Sequence, residues 1–296
     1  MWELFIVGEA VEYAQQVAQT AFEEVDRLER ELSRFIPSSD IFRINALQPG
    51  ESMRVGLATL ECLQLAAEVH EQTNGAFDIT VGAWLDQRRD EEGRIQLSGA
   101  SALAAKPCLG MELLEIDPEE YSVGWRADGN KEGVSLDLGA VGKGYALDCI
   151  AAIMRDWQIQ DALIHSGQST VLALGTPDAE HAWIVALRDP RDGDQMLGQM
   201  YLHNRAMSGS GMVTHGQHIV DPRTGEAAQG KLSTWAIADS AAYSDALSTA
   251  FMVMAPEEVE QYCQHHESVV GLLLVGDPAQ PSIMSFGELA RLESTP

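Results

Sequence analysis

The stretch from Ser135 to Asp148, reading Ser-Leu-Asp-Leu-Gly-Ala-Val-Gly-Lys-Gly-Tyr-Ala-Leu-Asp, constrains this chain more than any other. Leu136 and Leu138 read as the end of a strand, Gly139, Gly142 and Gly144 crowd a turn, and Leu147, Ile150, Met154 and Trp157 recur at helical spacing. The pattern predicts a strand, a glycine loop and a helix start. Such a junction offers unpaired backbone groups and close approach, which suits nucleotide phosphates and their metals. Neither common phosphate loop fits. A Walker loop needs Gly five residues before Gly142 and Ser or Thr after Lys143, and the chain has Asp137 and Gly144 there. The dinucleotide fingerprint fails too, because Gly139, Gly142 and Gly144 carry its spacing backwards.

The 296 residues suffice for one large domain or two ordinary ones, and 45% hydrophobic content supports a real core. A formal charge of -26 argues against a nucleic-acid surface, which needs clustered Lys and Arg. The same charge opposes an anionic substrate unless a divalent cation helps it locally. Cys62, Cys108, Cys149 and Cys263 are far apart and form no Cys-x-x-Cys, so they read as four buried thiols. No apolar run approaches the ~20 residues of a membrane span. Met1 to Val7 lacks a basic flank and a cleavage site and reads as a first strand, so the expected location is cytoplasmic.

Along the chain, a strand over Leu4 to Val7 leads into an apolar stripe of Ala14, Val17, Ala21, Val25, Leu28 and Leu32, a helix of about six turns. Asp40 to Asn45 reads as a short ordered turn, and Leu57 to Thr73 as a second helix closed by a left-handed cap at Asn74-Gly75. Residues 86 to 96 read as a charged surface excursion. Strands follow at Leu113 to Ile116, Ser122 to Trp125 and Val134 to Leu138, with a hairpin turn at Ala127 to Asn130. After the glycine loop come strands near Ala162 to His165, Thr170 to Leu174, Trp183 to Leu187, Gln199 to Leu202 and Ser233 to Ala238. Asp245 opens a helix to Met254, Pro256 to His265 forms the last helix, and Val269 to Val275 is a buried strand. The class is α+β, without a Pro/Gly/Ser-rich hinge, so residues 1 to 296 read as a single domain.

Asp245 and Thr249, four apart, share a helix face, with Ser248 adding a third oxygen. Hard oxygen donors of this kind suit Mg²⁺, although an Asp at a helix start is first of all a cap. His218 and Asp221 sit in a loop anchored by Pro222 and Gly225. With His215 they form a His-x-x-His-x-x-Asp spacing that fits a plain turn, a transition metal or an acid/base pair. Ser208-Gly-Ser-Gly211 reads as a flexible glycine turn and not a nucleophile elbow.

Taken together, five segments resemble the ApbE family, the FAD:protein FMN transferases. They are Ser33-Arg-Phe-Ile-Pro-Ser-Ser-Asp-Ile-Phe-Arg-Ile-Asn45, Gly75-Ala-Phe-Asp-Ile-Thr-Val-Gly82, Leu136 to Asp148, His218-Ile-Val-Asp-Pro-Arg-Thr-Gly225 and Asp245-Ala-Leu-Ser-Thr249, in family order. The resemblance implies an ApbE-like α+β fold of two intimately packed halves with FAD in the cleft between them. It implies Mg²⁺-dependent transfer of FMN from FAD to a Thr or Ser hydroxyl of an acceptor protein, with release of AMP. It assigns the metal to Asp245, Thr249, Ser248 and the Gly142 carbonyl, flavin or adenine contacts to Ala76, Phe77, Asp78, Gly139, Tyr145 and Ile219, and catalysis near the pyrophosphate to His218 and Asp221. The alternatives are an FAD pyrophosphatase yielding FMN and AMP, and a non-catalytic flavin-storage protein. The chain departs from the family in having Phe35 where Tyr is common, Ala83-Trp84-Leu85 after Gly82, and Gly142 before Lys143 where Ala is usual. The nearest match to a flavin acceptor motif, Ser98-Gly-Ala-Ser101, lacks its Asp and its Thr, so self-modification is not expected.

Overall fold

The computed structural model describes residues 1–87, 109–167, 169–178, 181–189, 191–211, 219–277 and 280–288. In chain order the elements are β1 (Trp2–Ile6), α1 (Val11–Leu32), α2 (Asp40–Ala46), β2 (Ser52–Arg54), α3 (Leu57–Gln72) and α4 (Gly82–Asp86). There follow β3 (Leu114–Asp117), β4 (Ser122–Trp125), α5 (Gly142–Asp156), β5 (Ala162–Ser166), β6 (Thr170–Leu174), β7 (Trp183–Asp189) and β8 (Asp192–Leu202). The chain closes with β9 (Arg205–Gly211), β10 (Lys231–Ala238), α6 (Ala241–Val253), α7 (Pro256–His265), β11 (Val270–Asp277) and β12 (Gln280–Phe286). It divides into two compact units, one of Met1–Glu24, Lys143–Thr214 and Gln229–Pro296, the other of Val25–Gly142 and His215–Ala228.

The first unit is built on a seven-stranded sheet of order β1-β5-β6-β9-β10-β11-β12, antiparallel throughout. Period-two alternation sends Val171, Ala173, Met207, Trp235 and Ile237 to one face, where they pack with Trp183, Leu187, Met200 and Leu202 of the β7–β8 hairpin. The other face meets α6, whose Ala246, Leu247, Ala250 and Phe251 are fully buried. That face also carries the hydroxyls of Thr170, Ser208, Ser210 and Thr234, in register across β6, β9 and β10. A polar layer therefore lies within an otherwise apolar interface.

The second unit holds a three-stranded sheet of order β2-β4-β3. Trp125, Ile41, Ile44, Leu63 and Leu136 are buried in this unit, and Trp125 Nε1 donates to Ile44 O at 2.8 Å, so its polar edge is satisfied where its ring is packed. Cys62 and Cys263 are buried thiols, and burial pushes Cys263 up to about 11, whereas Cys149 is only half-buried; Cys108 lies outside the described residues. No helix among the described residues is long and apolar enough to cross a membrane.

Four expectations are corrected. Asp40 to Ala46 is a helix, because Ser39 caps it through its hydroxyl on Phe42 N–H at 3.0 Å. Residues 134 to 138 are extended but form no strand; β4 already has β2 and β3 on its two edges, and only a bridge from Ser135 to Val81 remains. Ser208 to Gly211 is no flexible turn but the end of β9, paired along its length with β10 and at Ser208 also with Thr170 of β6. Helix α6 starts a turn before Asp245, with Ser240 as its cap, so Asp245 is not a capping residue. Strand β12 was not expected, and the excursion expected over 86–96 lies outside the described residues from 88 onward.

Candidate functional site

In the first unit, the heads of α5 and α6 meet through their backbones. A Cβ on Gly144 would lie 2.2 Å from Ala241 O, so only glycine permits this approach. Beside the contact, Asp245 is 4% exposed and accepts from Gly144 N–H on Oδ2 at 3.1 Å and from the Thr170 hydroxyl on Oδ1 at 3.4 Å. Lys143 Nζ stands 3.8 Å from Oδ2. One turn on, Ser210 Oγ is 2.9 Å from Ser248 Oγ and 3.2 Å from Thr249 Oγ1. Ser248 also donates to Asp245 O at 2.9 Å and is fully buried, while Thr249 is half-buried. The hydroxyls of Ser166 and Ser208, buried on the same face, have no hydrogen-bond partner.

The donor set decides which metal would fit. Among the described residues no three His, Cys, Asp or Glu side chains converge. A metal here would have one carboxylate and neutral oxygens, a set suited to Mg²⁺, which keeps water or substrate phosphate for its remaining positions, and unsuited to zinc.

In the second unit, the left-handed Asn74 (φ 50) and Gly75 (φ 76) turn the chain out of α3. Thr73 then accepts from Phe77 N–H at 3.2 Å, and His70 Nδ1 lies 2.9 Å from Phe77 O. The side chains of Ala76 and Phe77 are core, which leaves only their backbone for any ligand contact. Asp78 Oδ1 accepts from Thr80 N–H at 2.7 Å and from the Thr80 hydroxyl at 2.6 Å. Its Oδ2 is buried without a hydrogen bond, 3.4 Å from His70 Nδ1. Burial pushes the Asp78 carboxyl above the ordinary 3.8, against the pull of the Thr80 bonds and of His70.

The extended segment before the glycine turn is held from both sides. The Asn45 side chain donates to Leu136 O at 3.0 Å and accepts from Leu136 N–H at 2.7 Å, while Asp137 N–H donates to Ile79 O at 2.7 Å. Buried Arg34 pairs with Asp137 at 3.2 Å and with Asp86, and its guanidinium lies 4.7 Å from the centroid of the exposed Phe35 ring. Gly139 is exposed, its N–H donating to Asp137 Oδ1 at 2.8 Å, and Gly142 opens α5. Tyr145, in the first unit, is buried in α5.

Asp221 anchors the later loop. Its carboxylate accepts from Arg223 N–H at 2.9 Å, from Arg223 Nε at 3.0 Å and from Arg223 Nη2 at 3.1 Å, and its own N–H donates to Glu226 O. Ile219 and Val220 are buried, and Val220 packs with Trp84, the residue by which the chain departs from the family pattern after Gly82. His218 lies outside the described residues, as does His215.

Sequence reasoning missed Arg34, Asn45, Asp137 and Asp148 as supports although all lie inside the quoted motifs. It also missed Thr170, Ser210 and Lys231, the last buried with Nζ donating to Met252 O at 3.2 Å and to Met254 O at the end of α6. Alternation along β6 and β9 was the available signal for Thr170 and Ser210.

The structure superposes with TM-score 0.80 on an ApbE protein from Thermotoga maritima, 26% identical, over 96% of this chain and 93% of that one. It does so equally on the flavinyl transferase ApbE of Pseudomonas stutzeri, 22% identical, over 96% and 90%. The α+β fold is thus the ApbE fold. The ApbE family model matches residues 2–273, and the chain belongs to the ApbE family. Among curated relatives, the FAD:protein FMN transferase of Klebsiella pneumoniae is 24% identical over 92% of this chain and 81% of its own length.

Proposed function

We propose that this protein transfers the FMN moiety of FAD to a Ser or Thr hydroxyl of an acceptor protein and releases AMP, with Mg²⁺ required. The observation that carries this reading is the pairing of Asp245 with a hydroxyl layer at the glycine contact between α5 and α6, in a family whose curated relatives bear the name FAD:protein FMN transferase. The acceptor oxygen forms a bond to the FMN-side phosphorus, the bond to the AMP phosphate oxygen breaks, and the hydroxyl proton passes to a base.

Asp245 and Thr249 would hold the metal, and the family likeness adds Ser248 and the Gly142 carbonyl. When bound, Mg²⁺ neutralises diphosphate charge and stabilises the leaving AMP. Thr170 and Gly144 orient the Asp245 carboxylate by donating to one oxygen each. The Oδ2 of Asp78, buried without a hydrogen bond, would be suited to accept an N–H of the flavin or adenine ring. We assign the proton to His218. Asp221, whose carboxylate is engaged by Arg223, would hold the turn from Asp221 to Glu226 instead of acting as the base.

The test is incubation with FAD, Mg²⁺ and candidate acceptor peptides, with mass spectrometry of the peptide and assay of AMP. Covalent FMN on the peptide with matching AMP is expected. AMP together with unmodified peptide across a peptide panel means hydrolysis, and bound FAD without AMP under any divalent cation means storage.

A further inference from the structure

The heads of α5 and α6 exchange carboxylates. Asp148, on α5, accepts from Ala241 N–H on Oδ1 at 2.8 Å, and from Ala242 N–H at 2.9 Å and the Ser240 hydroxyl at 2.7 Å on Oδ2. In return Asp245, on α6, accepts from Gly144 N–H of α5 at 3.1 Å. The first N–H groups of a helix have no partner within it and are ordinarily met by its own cap or by water. Here Ser240 meets only Tyr243 N–H, at 3.3 Å, and the two N–H groups at the head of α6 are met from another helix.

The chemistry of the exchange requires an acid. Each Oδ atom of Asp148 faces a backbone donor, Oδ1 the N–H of Ala241 and Oδ2 the N–H of Ala242, and the Ser240 hydroxyl donates to Oδ2 as well. An amide would turn an NH₂ group toward an N–H and lose at least one bond. Burial pushes the Asp148 carboxyl up, and the bonds from Ala242, Ala241 and Ser240 oppose it, so the exchange is what keeps a half-buried carboxylate in place. Asp245 lies four residues, about 6 Å along the axis, from the capped end. A shift of that end relative to α5 moves Asp245 away from Gly144 and Thr170.

We propose that Asp148 is a positioning residue for the metal carboxylate: it fixes the head of α6 to α5 and thereby sets the aim of Asp245, touching neither metal nor substrate. This rests on the reading of Asp245 as a metal ligand. It separates two tasks within one glycine-rich motif, whose glycines permit the helix contact while its closing aspartate locks it.

The experiment measures Mn²⁺ binding by electron paramagnetic resonance in the absence of FAD, with urea unfolding of the same samples. The variants are Asp148→Asn, Asp148→Glu, Asp245→Ala and Val259→Ala, the last truncating a fully buried side chain of α7 as a destabilised control. Asp148→Asn is expected to weaken Mn²⁺ binding by about 10- to 100-fold, the range for partners that orient a metal ligand, and to raise the Mg²⁺ needed for half-maximal turnover by the same factor. Asp148→Glu, which keeps the charge but moves it by a methylene, should fall between Asn and wild type, and it decides the matter if the Asn variant does not fold. Val259→Ala should bind Mn²⁺ as wild type does. Mn²⁺ binding lost in Asp245→Ala but unchanged in the folded Asp148 variants overturns the positioning role alone, as does an equal loss in Val259→Ala. Binding unchanged in Asp245→Ala overturns the metal reading and the inference with it.

Discussion

Two buried aspartates, one in each unit, show how differently a carboxylate can be housed. Asp245 gathers donors on both oxygens, Gly144 N–H on one and the Thr170 hydroxyl on the other, with the Lys143 ammonium 3.8 Å away. Asp78 has both of its hydrogen bonds on Oδ1, from the single residue Thr80, and its Oδ2 is buried without one. The first arrangement supports negative charge at the carboxylate for which we propose a cation. The second leaves an acceptor waiting, and burial raises that carboxyl accordingly. On the proposed reading, Asp245 is a metal ligand satisfied from behind, and Asp78 a recognition group with one oxygen left for the ligand.

Asp245→Ala should have the largest effect. Removing a group that accounts for several kcal/mol of charge stabilisation should lower FMN transfer by about 10³-fold or more, measured as covalent flavin on the acceptor. Retention of metal-dependent transfer would remove Asp245 from the site. Gly144→Ala comes next, because its Cβ would sit 2.2 Å from Ala241 O. Overpacking against backbone should destabilise by about 3 kcal/mol, read from urea unfolding.

Asp78→Asn tests the other side through pH. A carboxyl raised above 3.8 in the folded chain holds its proton there more firmly than in the unfolded chain. Stability from this group is therefore present at low pH and is lost as pH rises from 3.8 through the raised value. Urea midpoints across that range should fall with pH in wild type relative to Asp78→Asn, and the variant should be the more stable at neutral pH while binding FAD less well. Lys143→Ala should matter least. A half-exposed ion pair of this kind contributes about 0–1 kcal/mol, so turnover should change by about fivefold or less. A larger loss than in Asp245→Ala would restore a phosphate-binding lysine.

Much of the fold was legible because burial writes itself into periodicity. The stripe from Val17 to Leu32 gave α1, and the runs at Thr170 to Leu174 and Ser233 to Ala238 gave two central strands. Where side chains answer to tertiary partners, the pattern misled. Leu136 and Leu138 alternate like a strand, yet Asn45 and Ile79, far away in sequence, take the hydrogen bonds a neighbouring strand would take. Ser208 to Gly211 looks like a turn, yet its small residues face Trp235 on one side and α6 on the other. Asp245 looked like a cap because the true cap, Ser240, and its helper Asp148 are not distinctive by type. The motifs marked where the chemistry gathers, and their supports were hidden in the same strings because Arg34, Asn45 and Asp148 act through geometry that no spacing displays.

We propose that FMN transfer depends on a divalent cation held at Asp245, and this dependence can be measured directly. The direct measurement strips the protein with a chelator, supplies FAD and acceptor peptide, and follows AMP and covalent flavin together while Mg²⁺ is titrated back. Neither product is expected without metal, and both are expected in equal amounts as Mg²⁺ is added. Full-rate transfer in the presence of chelator would contradict that dependence.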